Sequence, residues 1–96
     1  MVSGASEIRK LLKNWYFYKA HISSVENSGE IEKKLTAIER YIDTLDDVDS
    51  KIIRMRFFEN ASAERIAAEA YISRRAVFYR INKIVADMVS VIRLLA

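Results

Sequence analysis

Ninety-six residues suffice for one small domain, or a compact domain with a helical extension, and 51% of them are apolar, so a core can form. The lack of cysteine excludes a disulfide framework and a thiolate metal site. The lack of proline, with only two glycines (Gly4 and Gly29), argues against the frequent turns of a strand-rich fold.

A net charge of +3 is too small to hold a polyanion by charge alone. Affinity for one requires a focused patch, or two copies acting together. The opening stretch MVSGASEIRK carries no apolar signal segment and no run approaches the length of a membrane span. The expectation is a cytosolic protein without membrane contact.

In chain order, residues 5–25 read as a helix, with Ile8, Leu11, Leu12, Trp15, Tyr18, Ile22 and Val25 spaced by threes and fours. Asn27-Ser28-Gly29 is the strong turn signal of the first half. A second helix is expected from Glu30 to Leu45, where Ile31, Leu35, Ile38, Ile42 and Leu45 alternate steps of four and three as a short heptad seam. A short connection predicts that these two helices fold back antiparallel, making residues 1–45 a helical hairpin for oligomerisation or partner contact. Asp46, Asp47 and Asp49 supply carboxylates to the positive end of a third helix, which runs to Phe58 and buries Ile52, Ile53, Met55, Phe57 and Phe58. Glu59-Asn60-Ala61 ends it, and Asn60 tolerates a left-handed conformation better than most residues.

Residues 62–83, SAERIAAEAYISRRAVFYRINK, carry the functional signal. Ser62 can cap a short helix reaching Ala68 or Glu69, Ala70-Tyr71-Ile72 can turn the chain, and Ser73 can cap a second helix opening with Arg74-Arg75. Two short helices joined by a tight turn form a helix-turn-helix, whose second helix is shaped for the DNA major groove. At about 100° per residue, Val77, Ile81, Ile84 and Met88 stack into one apolar stripe facing the core. Opposite it lie Arg75, Tyr79 and Asn82, flanked by Arg74 and Phe78 on one side and Arg80 and Lys83 on the other. Residues 72–83 hold four basic side chains and no acid. The helix then continues through Val85, Met88, Val89, Ile92 and Leu95, longer than reading DNA requires.

These positions divide by chemistry. Arg can bridge guanine O6 and N7 and Asn can pair with adenine, so Arg75, Tyr79 and Asn82 are the candidates for base edges or the groove floor. Arg74, Phe78, Arg80 and Lys83 suit the sugar-phosphate walls. Phe78 equally suits a thymine methyl or the neighbouring helix, and Arg80 an ion pair with Glu64 or Glu69. Ser62, Arg65 and Ser73 can reach phosphates, although capping alone explains both serines. The run Trp15-Tyr16-Phe17-Tyr18 cannot form one stacking platform, because consecutive helical residues point in different directions. Trp15 and Tyr18 fall on the seam, leaving Tyr16 or Phe17 for a partner.

Nothing points to catalysis or a cofactor. His21 is the only histidine, no Gly-rich phosphate loop exists, and capping explains the three aspartates without an EF-hand loop.

Residues 45–93 resemble region 4 of sigma-70-type factors over the stretch DSKIIRMRFFENASAERIAAEAYISRRAVFYRINKIVADM. The shared pattern is an acidic start, an Arg-aromatic pair (Arg56-Phe57), Ile66-Ala67, Ile72-Ser73, and a valine with an aliphatic four residues on (Val77, Ile81). Arg65, Ala63 and Tyr71 depart from it, Tyr71 standing where a small turn residue is usual. Nothing resembles the sigma segment that melts promoter DNA.

With the hairpin, the chain looks like phage sigma-like regulators of the ArpU/RinA type. The resemblance implies an all-α protein in which residues 46–96 form a DNA-binding domain with a long last helix. It implies a late-gene transcription regulator that binds double-stranded DNA as a homodimer and can touch host RNA polymerase. Two other readings remain open at this stage: a small terminase subunit that packages DNA, and an adaptor that binds RNA polymerase or a sigma factor.

Overall fold

The computed structural model describes residues 4–21 and 28–94, and among them the chain is all-helical. Six α-helices follow one another: α1 (Gly4–Lys13), α2 (Trp15–His21), α3 (Ser28–Thr44), α4 (Asp47–Ile53), α5 (Ala63–Ala70) and α6 (Arg74–Arg93). A π-helical turn, Arg54–Phe58, extends α4. No described helix is long and apolar enough to cross a membrane.

The helix expected over 5–25 is interrupted at Asn14, whose side-chain amide donates to the Lys10 carbonyl at 2.9 Å. The backbone bonds Asn14 N–H to Lys10 and Tyr18 N–H to Asn14 bridge the interruption, so α1 and α2 follow closely on one another. Ile22 and Val25, the end of that expectation, lie outside the described residues, as does Asn27 of the expected turn. Ser28 and Gly29, instead of turning, open α3.

Each helix brings its apolar stripe to one core, which contains no buried polar or charged residue among those described. Ile8, Leu11, Leu12 and Trp15 come from α1 and α2, Leu35, Ile38 and Ile42 from α3, and Ile52, Ile53 and Met55 from α4 and the π turn. From α6 come Val77, Ile81, Ile84, Val85 and Met88. Residues 1–45 and 46–96 thus contribute to a single core. The centre of the expected seam is covered within the chain, with Ile31 and Leu45 half-buried at its ends.

The expected antiparallel hairpin is where the fold differs. α1 and α3 each pack on α6. Gly4 approaches Val89 so closely that an added Cβ would sit 2.8 Å from its side chain, and Arg9 meets Asn82, so α1 runs antiparallel to α6. Two ion pairs join the first helices to α3, Glu7 with Lys34 and Lys19 with Glu39. Both partner numbers rise together, whereas an antiparallel hairpin requires one to fall as the other rises. Each of the two helices packs on α6 instead, where its apolar side chains are buried in the common core.

Two helix ends depend on left-handed residues. Asn60 (φ 56°) and Tyr71 (φ 57°) have positive φ, and from each the next residue bonds back: Ala61 N–H to Met55 at 2.8 Å, and Ile72 N–H to Ala67 at 3.2 Å. Asn60 fulfils the expectation for it. Tyr71 is 93% exposed, so its ring does not pack over the preceding helix and the turn is tight without that support. The π turn is a further difference from the regular helix expected to Phe58. Its Glu59 N–H to Arg54 bond (3.0 Å) marks the wider spacing, at which Met55 stays buried while Phe58 meets Trp15 at 5.3 Å and Tyr16 at 5.8 Å. Phe57 and Phe58 are half-buried.

Holding a tyrosine left-handed costs about 1–2 kcal/mol. Glycine there removes that cost and returns about 0.4–1 kcal/mol through unfolded-chain entropy. Tyr71→Gly should therefore stabilise the fold by about 0.5–1 kcal/mol, raising the melting temperature by roughly 3–6 °C. Thermal unfolding followed by circular dichroism measures this, and a lower melting temperature would assign the ring a stabilising contact.

Tyr41 on α3 donates to Asp87 on α6 at 3.0 Å. Burial and then this hydrogen bond push its phenol up to about 12 from 10.0. A raised folded value favours the protonated state, so the stabilisation is complete below pH 10 and disappears as pH climbs towards about 12. Tyr41→Phe should cost about 1 kcal/mol near neutrality. In urea unfolding across that alkaline window, the gap between the two proteins should close.

Candidate nucleic-acid interface

The local build of α5, the turn and α6 follows the caps. The Ser62 hydroxyl accepts from Arg65 N–H at 3.2 Å, and the Ser73 hydroxyl from Ala76 N–H at 3.0 Å, each from an extended backbone conformation. Both serines thus have the capping role read from the sequence. α5 ends at Ala70, slightly beyond Ala68 or Glu69, and α5 and α6 pack together across Tyr71-Ile72-Ser73.

The stripe Val77, Ile81, Ile84 and Met88 is buried, which fixes the rotation of α6 and turns its opposite face outward. Arg75, Tyr79 and Lys83 are exposed there, Tyr79 at 68%, and none has an ion-pair or side-chain hydrogen-bond partner among the described residues. Asn82 is exposed on the same face, but its amide oxygen accepts from Arg9 of α1. Phe78, 37% exposed, lies beside two guanidiniums, with Arg74 5.6 Å and Arg56 6.0 Å from its ring centre.

The remaining cations are differently engaged. Arg74 pairs with Glu64 at 3.2 Å, with both side chains about two-thirds exposed (64% and 65%). Arg65 reaches Glu59 and Glu69, each at 3.7 Å. Such exposed pairs are worth little and exchange readily for another anion. Arg80 differs: it turns towards α4 and bonds Asp49 at 2.8 Å, with side chains 38% and 23% exposed. That hydrogen bond holds the guanidinium above its ordinary value despite the opposing effect of burial. Its partner is therefore neither Glu64 nor Glu69, the two carboxylates expected for it from the sequence. Asp46 accepts from Asp49 N–H at 2.8 Å and caps α4, so two of the three aspartates have structural roles.

The outward face thus gathers Arg74, Arg75, Phe78, Tyr79, Asn82 and Lys83, while Arg80 points along a different flank and Arg65 sits among the carboxylates of and before α5. Sequence reasoning missed Arg9 and Arg56. The basic cluster Arg9, Lys10 and Lys13 is visible in the sequence, but its placement beside α6 arises from packing between distant segments. Chemically, this face offers cationic donors, one amide and two aromatic rings, on a helix whose first carboxylate, Asp87, is occupied by Tyr41.

No family model, curated protein or solved structure matches the chain.

The different engagement of the cations is measurable. A double-mutant cycle of Asp49→Ala and Arg80→Ala should give a coupling of about 1 kcal/mol in urea unfolding. The same cycle on Glu64 and Arg74 should give none that can be measured. Equal couplings would mean that Arg80 is as available to an outside anion as Arg74.

Proposed function

We propose that the protein is a sequence-specific double-stranded DNA-binding regulator of transcription. It places residues 74–83 of α6 in the major groove, with α5, the Tyr71 turn and α6 acting as a helix-turn-helix. The observation that carries this reading is the exposed set Arg75, Tyr79 and Lys83, without ion-pair or side-chain hydrogen-bond partners among the described residues and opposite a buried apolar stripe. A helix rotated in this way by its core has a fixed face to insert, which sequence reading requires and mere solubility does not. Arg75 lies in the first turn, the end of a recognition helix that approaches base edges. Arg74 and Lys83 lie farther round and suit phosphates.

The pattern shared with region 4 of sigma factors supports a promoter as the target, and the phage regulators it resembles suggest control of late genes. A homodimer would set two such helices on half-sites about one helical turn apart. Host RNA polymerase is the partner that a promoter-bound regulator would meet.

Fluorescence anisotropy with a footprinted duplex tests the reading. Log affinity should fall by about 0.9 per log unit of salt for each phosphate neutralised. Arg75→Ala should lose about 1–3 kcal/mol of discrimination at one or two base pairs. Lys83→Ala should weaken all sequences alike and lower the salt slope by about one unit. Neither side chain holds the fold, so melting temperatures should not move. If Arg75→Ala weakens every sequence equally while Lys83→Ala alters base preference, the helix is rotated in its groove. Absence of salt-sensitive binding to any duplex overturns the function.

A further inference from the structure

A cleft of about 640 Å³ opens between the α1–α2 junction, the π turn and the segment leading into α5. Its walls carry Lys13 and Arg56, the rings of Tyr16, Phe17 and Phe58, and Ser62, and among the described residues no carboxylate lines it. Tyr16 and Phe17 are 66% and 59% exposed, a large apolar area to leave open beside two cations. Lys13 is exposed and has no ion-pair partner among the described residues. Arg56 is half-buried and donates to the Ala61 carbonyl at 3.3 Å, which holds its guanidinium in the wall.

Arg56 links the cleft to the outward face of α6. The guanidinium of Arg56 that forms its wall also lies 6.0 Å from the ring centre of Phe78. On α1, Arg9 precedes Lys13 by one helical turn and donates to Asn82. Arg9, Lys13, Arg56 and Arg74 therefore border one flank of α6. A strand of DNA leaving a groove occupied by α6 would on this side meet an opening that no described carboxylate lines. There a lysine offers a point charge to phosphate, and flat rings offer an apolar wall to deoxyribose.

We propose that this cleft is a second DNA contact, in which Lys13 and Arg56 bind the phosphodiester backbone flanking the base pairs read by α6. It rests on the DNA-binding reading above. It adds α1 to an interface otherwise confined to α5 and α6, and it makes the footprint longer than one recognition helix covers.

The test compares two duplexes, one limited to the base pairs that α6 reads and one extended by about half a helical turn, roughly five base pairs, on each side. Wild-type protein should bind the extended duplex several-fold more tightly. Lys13→Ala should lose most of that gain, lower the salt slope on the extended duplex by about 0.9, and leave base preference and melting temperature unchanged. Lys13→Glu should lose more, and Lys13→Arg should restore binding.

Equal binding of wild type, Lys13→Ala and Lys13→Glu to both duplexes overturns the proposal while leaving reading by α6 intact. An acidic peptide such as oligoglutamate that binds through Lys13, with DNA affinity independent of Lys13, would assign the cleft to a protein partner and also overturn it. If wild type binds neither duplex, DNA reading fails as well. Arg56 is left unchanged because its bond to Ala61 holds the loop.

Discussion

The apolar stripe of α6 is the constraint on which the rest of the molecule depends. Val77, Ile81, Ile84, Val85 and Met88 are all buried, and α1, α3, α4 and α5 each pack against this one helix. A helix surrounded on its inner side by four others cannot rotate without exposing several aliphatic side chains, at about 1.5–3 kcal/mol for each fully exposed one. The orientation of Arg75, Tyr79 and Lys83 is thus set by burial on the opposite side of the same helix. Core-facing and outward residues lie on one helix, so the outward face needs no loop to position it. The length of α6 has the same origin: its second half receives α1 and α3, and Gly4 permits the start of α1 to lie directly on Val89.

This dependence explains what could be read from the sequence. Val77, Ile81, Ile84 and Met88 repeat at helical spacing, and any helix holding them must bury that side, so the rotation of α6 was legible without knowing what covers it. The serine caps were legible because they act within three residues, and the left-handed Asn60 because its tolerance is intrinsic. The packing of α1 and α3 on α6 was not. A short connection favours a hairpin locally, but the surface offered by α6, some fifty residues on in sequence, competes for the same apolar stripes. Arg80 shows the same limit at the surface. Glu64 and Glu69 are closer to it in sequence than Asp49, yet Asp49, 31 positions away, is its partner at 2.8 Å. Tyr71 is a different case: the left-handed turn was specified by the helices that flank it, and the chain accepts the strain of a bulky residue there.

Ion pairing then divides a modest charge unevenly. With a net charge of only +3, the protein cannot attract a polyanion from every side, and its carboxylates decide which cations remain available. Asp49 occupies Arg80, and Glu7 with Glu30 occupies Lys34, holding that ammonium above its ordinary value chiefly through the Glu7 hydrogen bond. These pairs lie where α3 and α4 join the rest of the fold, and they are partly shielded from solvent. Arg74 and Arg65 are paired only through exposed contacts. Arg75, Lys83 and Lys13 have no such partner among the described residues. The gradation runs from anchored cations at the packing contacts to available ones around the outward face of α6.

Asn82 sits where these two kinds of constraint meet. Its amide is on the face opposite the core, suited to an adenine edge, yet it accepts from Arg9. An adenine amino group would compete with that guanidinium for the amide oxygen. Once displaced, Arg9 would be a free cation beside the departing strand, on the same face of α1 as Lys13. In the proposed complex, engagement of Asn82 and recruitment of α1 would be coupled through a single hydrogen bond: base reading would release a phosphate ligand, and a phosphate that draws Arg9 away would release the amide. Both groups are exposed, so the exchange replaces one hydrogen bond with others of similar strength and carries little net cost. In the proposed complex, a contact that ties the outward face to its neighbouring helix would be the means by which the two act together on DNA.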